Sequence, residues 1–134
     1  MIIVYNKVMI VDDEPDVLES LKTVLENEKY HVVLAENGER CLELLESGFK
    51  GVILMDIMMP GMDGFDTIKE IVSRGYISNV VIEVVTGMAI KDAKSMGVME
   101  PYVHDYISKP IDIGQLIHSV EKCNLFLSAK EKNE

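Results

Sequence analysis

The sequence predicts a single α/β domain with a doubly wound parallel sheet. Short continuous apolar runs alternate five times with segments of helical periodicity, two of those runs stop abruptly at carboxylates, and turn formers separate the segments. Val8-Met9-Ile10-Val11 reads as a first strand covered on both faces, ending at Asp12-Asp13-Glu14-Pro15. A first helix follows over 15–27. Its apolar residues Val17, Leu18, Leu21, Val24 and Leu25 recur at helical spacing, Pro15 suits the first turn, and Asp16 and Glu19 favour the positive end of the dipole. Residues 31–35 form a second strand, and Asn37 is placed to cap a second helix whose apolar side is Cys41, Leu42, Leu44 and Leu45. Residues 51–55 are a third buried strand ending at Asp56. The loop over 58–64 is dense in turn formers, and Phe65, Ile68 and Val72 then mark a third helix. A fourth strand spans 80–86, with Glu83 inside an otherwise apolar run. Residues 89–97 form a weak fourth helix, 106–108 a short fifth strand, and Ile113, Leu116, Ile117 and Val120 the stripe of a last helix. Residues 1–6 are an extension or the start of strand one, 7–127 the domain, and 128–134 a polar tail expected to fray.

Composition narrows the function. A chain of 134 residues, 48% hydrophobic, suits one core and leaves no room for a second folded domain. Thirteen Lys plus Arg against twenty-three Asp plus Glu give a net charge of -10, and the basic residues form no run, so the expectation is no binding to nucleic acid. Cys41 and Cys123 lie far apart in apolar surroundings, which argues against a disulfide, and His31, His104 and His118 are too dispersed for a metal site. The apolar start over 1–5 is too short for a signal sequence and no run reaches membrane-spanning length, so a cytoplasmic protein without membrane attachment is expected.

Right-handed crossovers bring the ends of strands one, three, four and five to one edge of such a sheet, where ligands gather. The residues delivered there are Asp12, Asp13, Asp56, Thr86 and Lys109. Three carboxylates at one edge repel one another, and a hard, oxygen-seeking ion such as Mg²⁺ relieves that repulsion. Lys109, before Pro110, supplies an ammonium for oxygens that gain charge during phosphoryl transfer. Thr86 offers a hydroxyl, and Gly87 leaves space beside it. Taken singly, each also fits an ordinary surface acid, a surface lysine or a strand residue chosen for packing.

Together, Asp12-Asp13, Met55-Asp56-Ile57-Met58-Met59-Pro60-Gly61-Met62-Asp63-Gly64, Thr86-Gly87 and Tyr106-Ile107-Ser108-Lys109-Pro110 resemble the receiver domains of two-component response regulators, and the resemblance runs over about residues 7–127. It implies a flavodoxin-like (βα)5 fold with strand order 2-1-3-4-5. It also implies that Asp56 accepts a phosphoryl group from a histidine kinase, and that Asp13, Asp56 and the Met58 main-chain carbonyl bind Mg²⁺ with Asp12 assisting. Lys109 would contact the phosphoryl group, while Thr86 and Tyr106 would form a switch pair altering the surface of the fourth helix, fifth strand and fifth helix. The expectation is that no output domain follows, and that the signal leaves by contact with a target protein or by relay to a histidine phosphotransfer protein, from a monomer or weak dimer.

Three departures stand out. Gly97, Pro101 and Tyr102-Val103 replace the family's regular fourth helix and small-residue pair, which predicts a short or irregular helix there. Glu83 would be costly if buried charged and unpaired. It is expected to be locally hydrogen-bonded, the alternative being a face left wet or open to a partner by a thin fourth helix. Met58 and Met88 cannot orient a hydrolytic water, which predicts slow self-dephosphorylation. Two other readings stand beside it: a Mg²⁺-dependent phosphohydrolase, which needs an acid where Met58 stands, and a phosphorylation-independent receiver-like interaction module, which would be expected to have lost one of the site residues.

Overall fold

The computed structural model describes residues 6–96 and 100–132. Five parallel strands, β1 (Lys7–Val11), β2 (His31–Ala35), β3 (Gly51–Asp56), β4 (Val80–Thr86) and β5 (Val103–Ser108), lie side by side in the order β2-β1-β3-β4-β5. Five helices cover them: α1 (Pro15–Asn27), α2 (Gly38–Glu46), α3 (Gly64–Ser73), α4 (Ile90–Ser95) and α5 (Ile113–Lys132). Because side chains alternate across a strand, each central strand feeds two cores. Met9, Ile53, Met55, Ile82 and Val84 pack towards α2, α3 and α4, while Ile10, Leu54, Val81 and Val85 pack with Leu18, Leu21 and Leu25 of α1 and Leu116, Val120 and Leu127 of α5. Every residue of β3 and β4 is buried, which explains why both read as apolar runs rather than as alternating patterns, with Glu83 the exception in β4.

The helix starts follow local chemistry. The Asn37 side chain accepts the Arg40 N–H at 2.7 Å, as its position predicts, and Pro15 opens α1. A reciprocal capping box at α3 has no counterpart in the sequence expectations: Asp63 accepts the Asp66 N–H at 2.8 Å, and Asp66 accepts the Asp63 N–H at 3.2 Å.

Differences from expectation cluster late in the chain. α4 is short, as predicted, at six residues; Gly97 lies outside the described residues, and Pro101 sits in a single 3₁₀ turn over Glu100–Tyr102. β5 begins at Val103 rather than at residue 106. It is an edge strand whose His104 and Asp105 are exposed, so its first half carries no apolar signal. Ile82 pairs with Val103 and Glu83 with Asp105, so His104 is the extra residue of a bulge. The tail expected from residue 128 is helical through Lys132, because Leu127 is buried and Ala129 and Lys130 are good helix formers.

Glu83 is fully buried, and its position corrects part of the sequence reading. It faces α5, with Val81 and Val85 beside it on the strand, so the thinness of α4 does not bear on it. The Ser119 hydroxyl of α5 donates to Oε1, and Oε2 has no protein partner. Desolvation raises the carboxyl from 4.5 to about 6; the Ser119 hydrogen bond opposes the rise, neighbouring Asp105 adds to it, and the Cys123 thiol and Lys122 oppose it. The folded state therefore prefers the protonated acid. Its stabilising contribution is full below pH 4.5 and is lost as pH rises through about 6, a change of roughly 2 kcal/mol. Urea unfolding at pH 4.5, 5.5 and 7 should show this component in the native chain and its loss in Glu83→Gln.

Candidate functional site

The site is assembled by backbone geometry at the carboxyl edge of the sheet. Asp12 directly follows β1, its N–H donates to the Ala35 carbonyl at 3.1 Å, and its Oδ1 accepts the Glu14 N–H at 2.9 Å. Asp56 is the last residue of β3, and its Oδ1 accepts the Met58 N–H at 3.0 Å. The loop then returns onto this strand end. A Cβ at Gly64 would stand 2.5 Å from both the Asp56 carbonyl oxygen and Ile57 Cα, so only glycine fits where α3 begins. The Gly64 N–H closes the loop on the Ile57 carbonyl at 3.2 Å, and Gly61 takes a left-handed φ of 76° within it. This is the physical content of the Pro-Gly-Met-Asp-Gly signature.

Thr86 ends β4, fully buried, with its Oγ1 accepting the Met88 N–H at 2.9 Å. The Lys109 N–H donates to the Thr86 carbonyl at 2.8 Å, joining the ends of β4 and β5, and the Lys109–Pro110 peptide is cis. From there the Lys109 ammonium reaches Asp12 Oδ2 at 3.0 Å and Asp56 Oδ2 at 3.5 Å.

One ammonium thus holds two buried carboxylates, and Asp13 stands beside them exposed. Burial raises the Asp56 carboxyl above its ordinary value; the Met58 N–H opposes this, Asp12 adds to it, and Lys109 opposes it. For Lys109, burial favours the neutral amine, but the Asp12 hydrogen bond and the Asp56 and Asp12 charges win and leave it above the usual lysine value. Carboxylate oxygens of Asp12, Asp13 and Asp56 lie within 4.8 Å of one another. Three acids against one ammonium leave a surplus of negative charge in a set made wholly of hard oxygen donors, with one member open to solvent. These residues fit Mg²⁺.

The sequence expectations therefore meet in space for Asp12, Asp13, Asp56 and Lys109, with Thr86 tied to Lys109 through the backbone. Met58 belongs to the turn that binds Asp56, and the residue is 59% exposed. Tyr106 lies apart. It pairs with Val84 in the sheet and is buried on the α4 side, its hydroxyl donating to the Glu100 carboxylate and the Lys94 ammonium 5.4 Å from its ring centre. Sequence reasoning did not find Glu100 or Lys94. The backbone donors of Glu14, Met58 and Met88 leave no side-chain signature at all.

Residues 8–121 match the family described as "Response regulator receiver domain". The chain belongs to this family. The receiver is 31% identical over 114 residues to protein PilH of Pseudomonas aeruginosa, covering 85% of this chain and 93% of that protein. It is 34% identical to the transcriptional regulatory protein CpxR homolog of Haemophilus influenzae over 96% of this chain but only 54% of that longer protein. Among solved structures, a CheY-like response regulator receiver domain protein from Methanospirillum hungatei superposes with a TM-score of 0.79 at 43% identity, covering 94% of this chain and 97% of that one. The response regulator TrrA of Thermotoga maritima, solved in complex with Mg(2+)-BeF, gives 0.76 at 29% identity over 88% of this chain and 98% of that one. Among the described residues no helix is long and apolar enough to cross a membrane.

The charge surplus sets a stability test. Asp56→Asn removes one buried carboxylate from the cluster and should stabilise the receiver by on the order of 1 kcal/mol in EDTA at pH 7. Saturating Mg²⁺ should shrink or reverse that difference, because the ion stabilises the native carboxylate set more than the variant. Thermal melts of both proteins with and without Mg²⁺ measure it.

Proposed function

We propose that this receiver accepts a phosphoryl group on Asp56 from the phosphohistidine of a histidine kinase, with Mg²⁺ held by Asp13, Asp56 and the Met58 main-chain carbonyl and with Asp12 assisting. The observation that carries the reading is the Lys109 ammonium bridging buried Asp12 and Asp56 while Asp13 faces solvent. A carboxylate oxygen of Asp56 attacks phosphorus, the phosphorus–nitrogen bond to the donor imidazole breaks, and the imidazole keeps the electron pair. Lys109 is already within reach to neutralise the transferring oxygens, and the Met58 N–H orients the nucleophile. Mg²⁺, when bound, would offset the charge that otherwise repels an incoming phosphoryl group.

Entry has a route. Beside Lys109 lies a cleft of about 330 Å³ walled by Val17 and Leu21 of α1 and by Pro110, Ile111 and Ile113, which suits the apolar flank of a histidine-bearing helix. On phosphorylation the Thr86 hydroxyl would exchange its Met88 N–H contact for a phosphoryl oxygen, and Tyr106 would report the change at α4, β5 and α5. The output is contact with a target protein or relay to a histidine phosphotransfer protein. A cytoplasmic setting, a receiver unit over 7–127 and a monomer or weak dimer complete the reading. A phosphohydrolase is disfavoured because Met58 supplies a thioether where a general acid is needed. A phosphorylation-independent interaction module is disfavoured because every acceptor, metal and ammonium position retains its chemistry.

Incubation with Mg²⁺ and acetyl phosphate should add one phosphoryl group by intact mass, with none on Asp56→Ala and a reduced rate for Lys109→Ala. Absence of the adduct on the native chain would exclude the acceptor role. The exposed Met58 and half-buried Met88 place no side-chain hydrogen-bonding group at the site mouth. The adduct should therefore persist well beyond seconds in Mg²⁺ buffer, and Met58→Asn should shorten its life.

A further inference from the structure

The loop between α4 and β5 is where this sequence leaves the family pattern, and that loop supplies a partner for Tyr106. Tyr106 is only 6% exposed although it belongs to an edge strand. The neighbouring strand residues His104 and Asp105 are exposed, so edge position alone does not bury the ring. Three contacts hold it. Ala93 of α4 belongs with it to the same core, the Lys94 ammonium lies 5.4 Å from the ring centre, and the hydroxyl donates to the carboxylate of Glu100.

A hydrogen bond from a buried phenol to a carboxylate is charge-assisted and directional, and a cation within 6 Å of a ring face adds electrostatic attraction. Burial and the Glu100 carboxylate both push the phenol well above its ordinary pKa, consistent with a tight pair. Lys94, facing the ring from α4, and Glu100, facing the hydroxyl from the turn before β5, carry opposite charges. The clamp therefore adds no net charge to the α4–β5 surface. Glu100 lies in the 3₁₀ turn over Glu100–Tyr102, at the start of the path into β5, and Lys94 lies near the end of α4. The ring therefore joins two elements that phosphorylation is proposed to move.

We propose that Glu100, aided by Lys94, is a positioning residue that latches the Tyr106 ring in its buried place before phosphorylation, so that the α4–β5 surface is biased in advance towards the ring-in arrangement. This rests on Tyr106 being the reporting residue of the Asp56 switch. Phosphorylation then supplies only the remaining bias, because a two-state surface responds to the sum of the free energies that favour each state.

The experiment places fluorinated tyrosine in the full chain and assigns the Tyr106 signal by Tyr106→Phe, reading ring-in and ring-out populations with and without Mg²⁺ and beryllium fluoride. In the unmodified protein the ring-in signal should already dominate. Glu100→Ala should lower the in-to-out ratio about tenfold, the size expected for one charge-assisted hydrogen bond. Glu100→Gln, which keeps an acceptor, should restore part of it, and beryllium fluoride should recover the ring-in signal in both. Ultraviolet titration should find the Tyr106 phenol closer to its ordinary value in Glu100→Ala. Equal ring populations in the native chain and Glu100→Ala overturn the latch, as does a ring-out native state. Intact mass after acetyl phosphate is read in parallel on each variant: an adduct with unchanged ring populations refutes the latch alone, whereas no adduct on the native chain refutes the acceptor reading beneath it.

Discussion

The contact of Lys109 with Asp12 and Asp56 is the interaction on which the rest of this site depends. Asp56 is nearly inaccessible to water, which favours its protonated form, and a protonated Asp56 would be a poor nucleophile for the proposed transfer. The Lys109 ammonium, 3.0 Å from Asp12 and 3.5 Å from Asp56, opposes that tendency at Asp56, and the two acids in turn hold the amine protonated. The pair of contacts also fixes geometry. Asp12 comes from β1, Asp56 from β3 and Lys109 from the end of β5, so a single side chain ties three strand ends that the sheet alone would leave as independent loops. Asp13 is left out of this tie and faces solvent, which leaves one acid free to meet an ion arriving from outside.

That arrangement explains which parts of the protein were legible in the sequence. Buried parallel strands must be largely apolar on both faces, so β1, β3 and β4 announce themselves as apolar runs, and the ends of β1 and β3 announce the site because carboxylates there break the runs. The strand order and the meeting of Asp12, Asp13, Asp56 and Lys109 follow from topology and the family resemblance together. β5 was half hidden because its first residues face water at a sheet edge, and α5 was cut short because its last turns are polar although helical. The capping box at Asp63 and Asp66 is a local pattern that the turn-rich loop masked. The N–H groups of Glu14, Met58 and Met88, which orient two acids and a threonine, belong to no residue type, so no reading of side chains reveals them. Glu100 was invisible for another reason: its partner Tyr106 is six residues on, and their approach depends on the 3₁₀ turn over Glu100–Tyr102 and the bulge at the start of β5.

Glu83 and Tyr106 show how the two faces of one strand pair differ. They lie on neighbouring strands but point to opposite sides of the sheet, Glu83 beneath α5 and Tyr106 beneath α4. The central part of the sheet, β1 and β3, presents only apolar side chains to both cores until Asp56. The β4–β5 half carries a polar group into each core, and a bulge at His104 interrupts the ladder between them. A polar group in a core is held in place by one or two directional hydrogen bonds as well as by the area it buries, so changing a single bond can shift its preferred arrangement.

The proposed function asks for a division of labour along the sheet. A phospho-acceptor has to be held rigidly, since its nucleophile, metal ligands and ammonium lose effectiveness with small displacements. Asp56 sits on the all-apolar part of β3, with Gly64 packed directly on its carbonyl and no space for a side chain between them. A readout surface has the opposite need, two arrangements of similar free energy. The short α4, the 3₁₀ turn before β5, the bulge and the buried polar pairs all fall in that half of the molecule. These irregular features thus fall in the half proposed to carry the readout, and β3, which carries the proposed acceptor, has none of them.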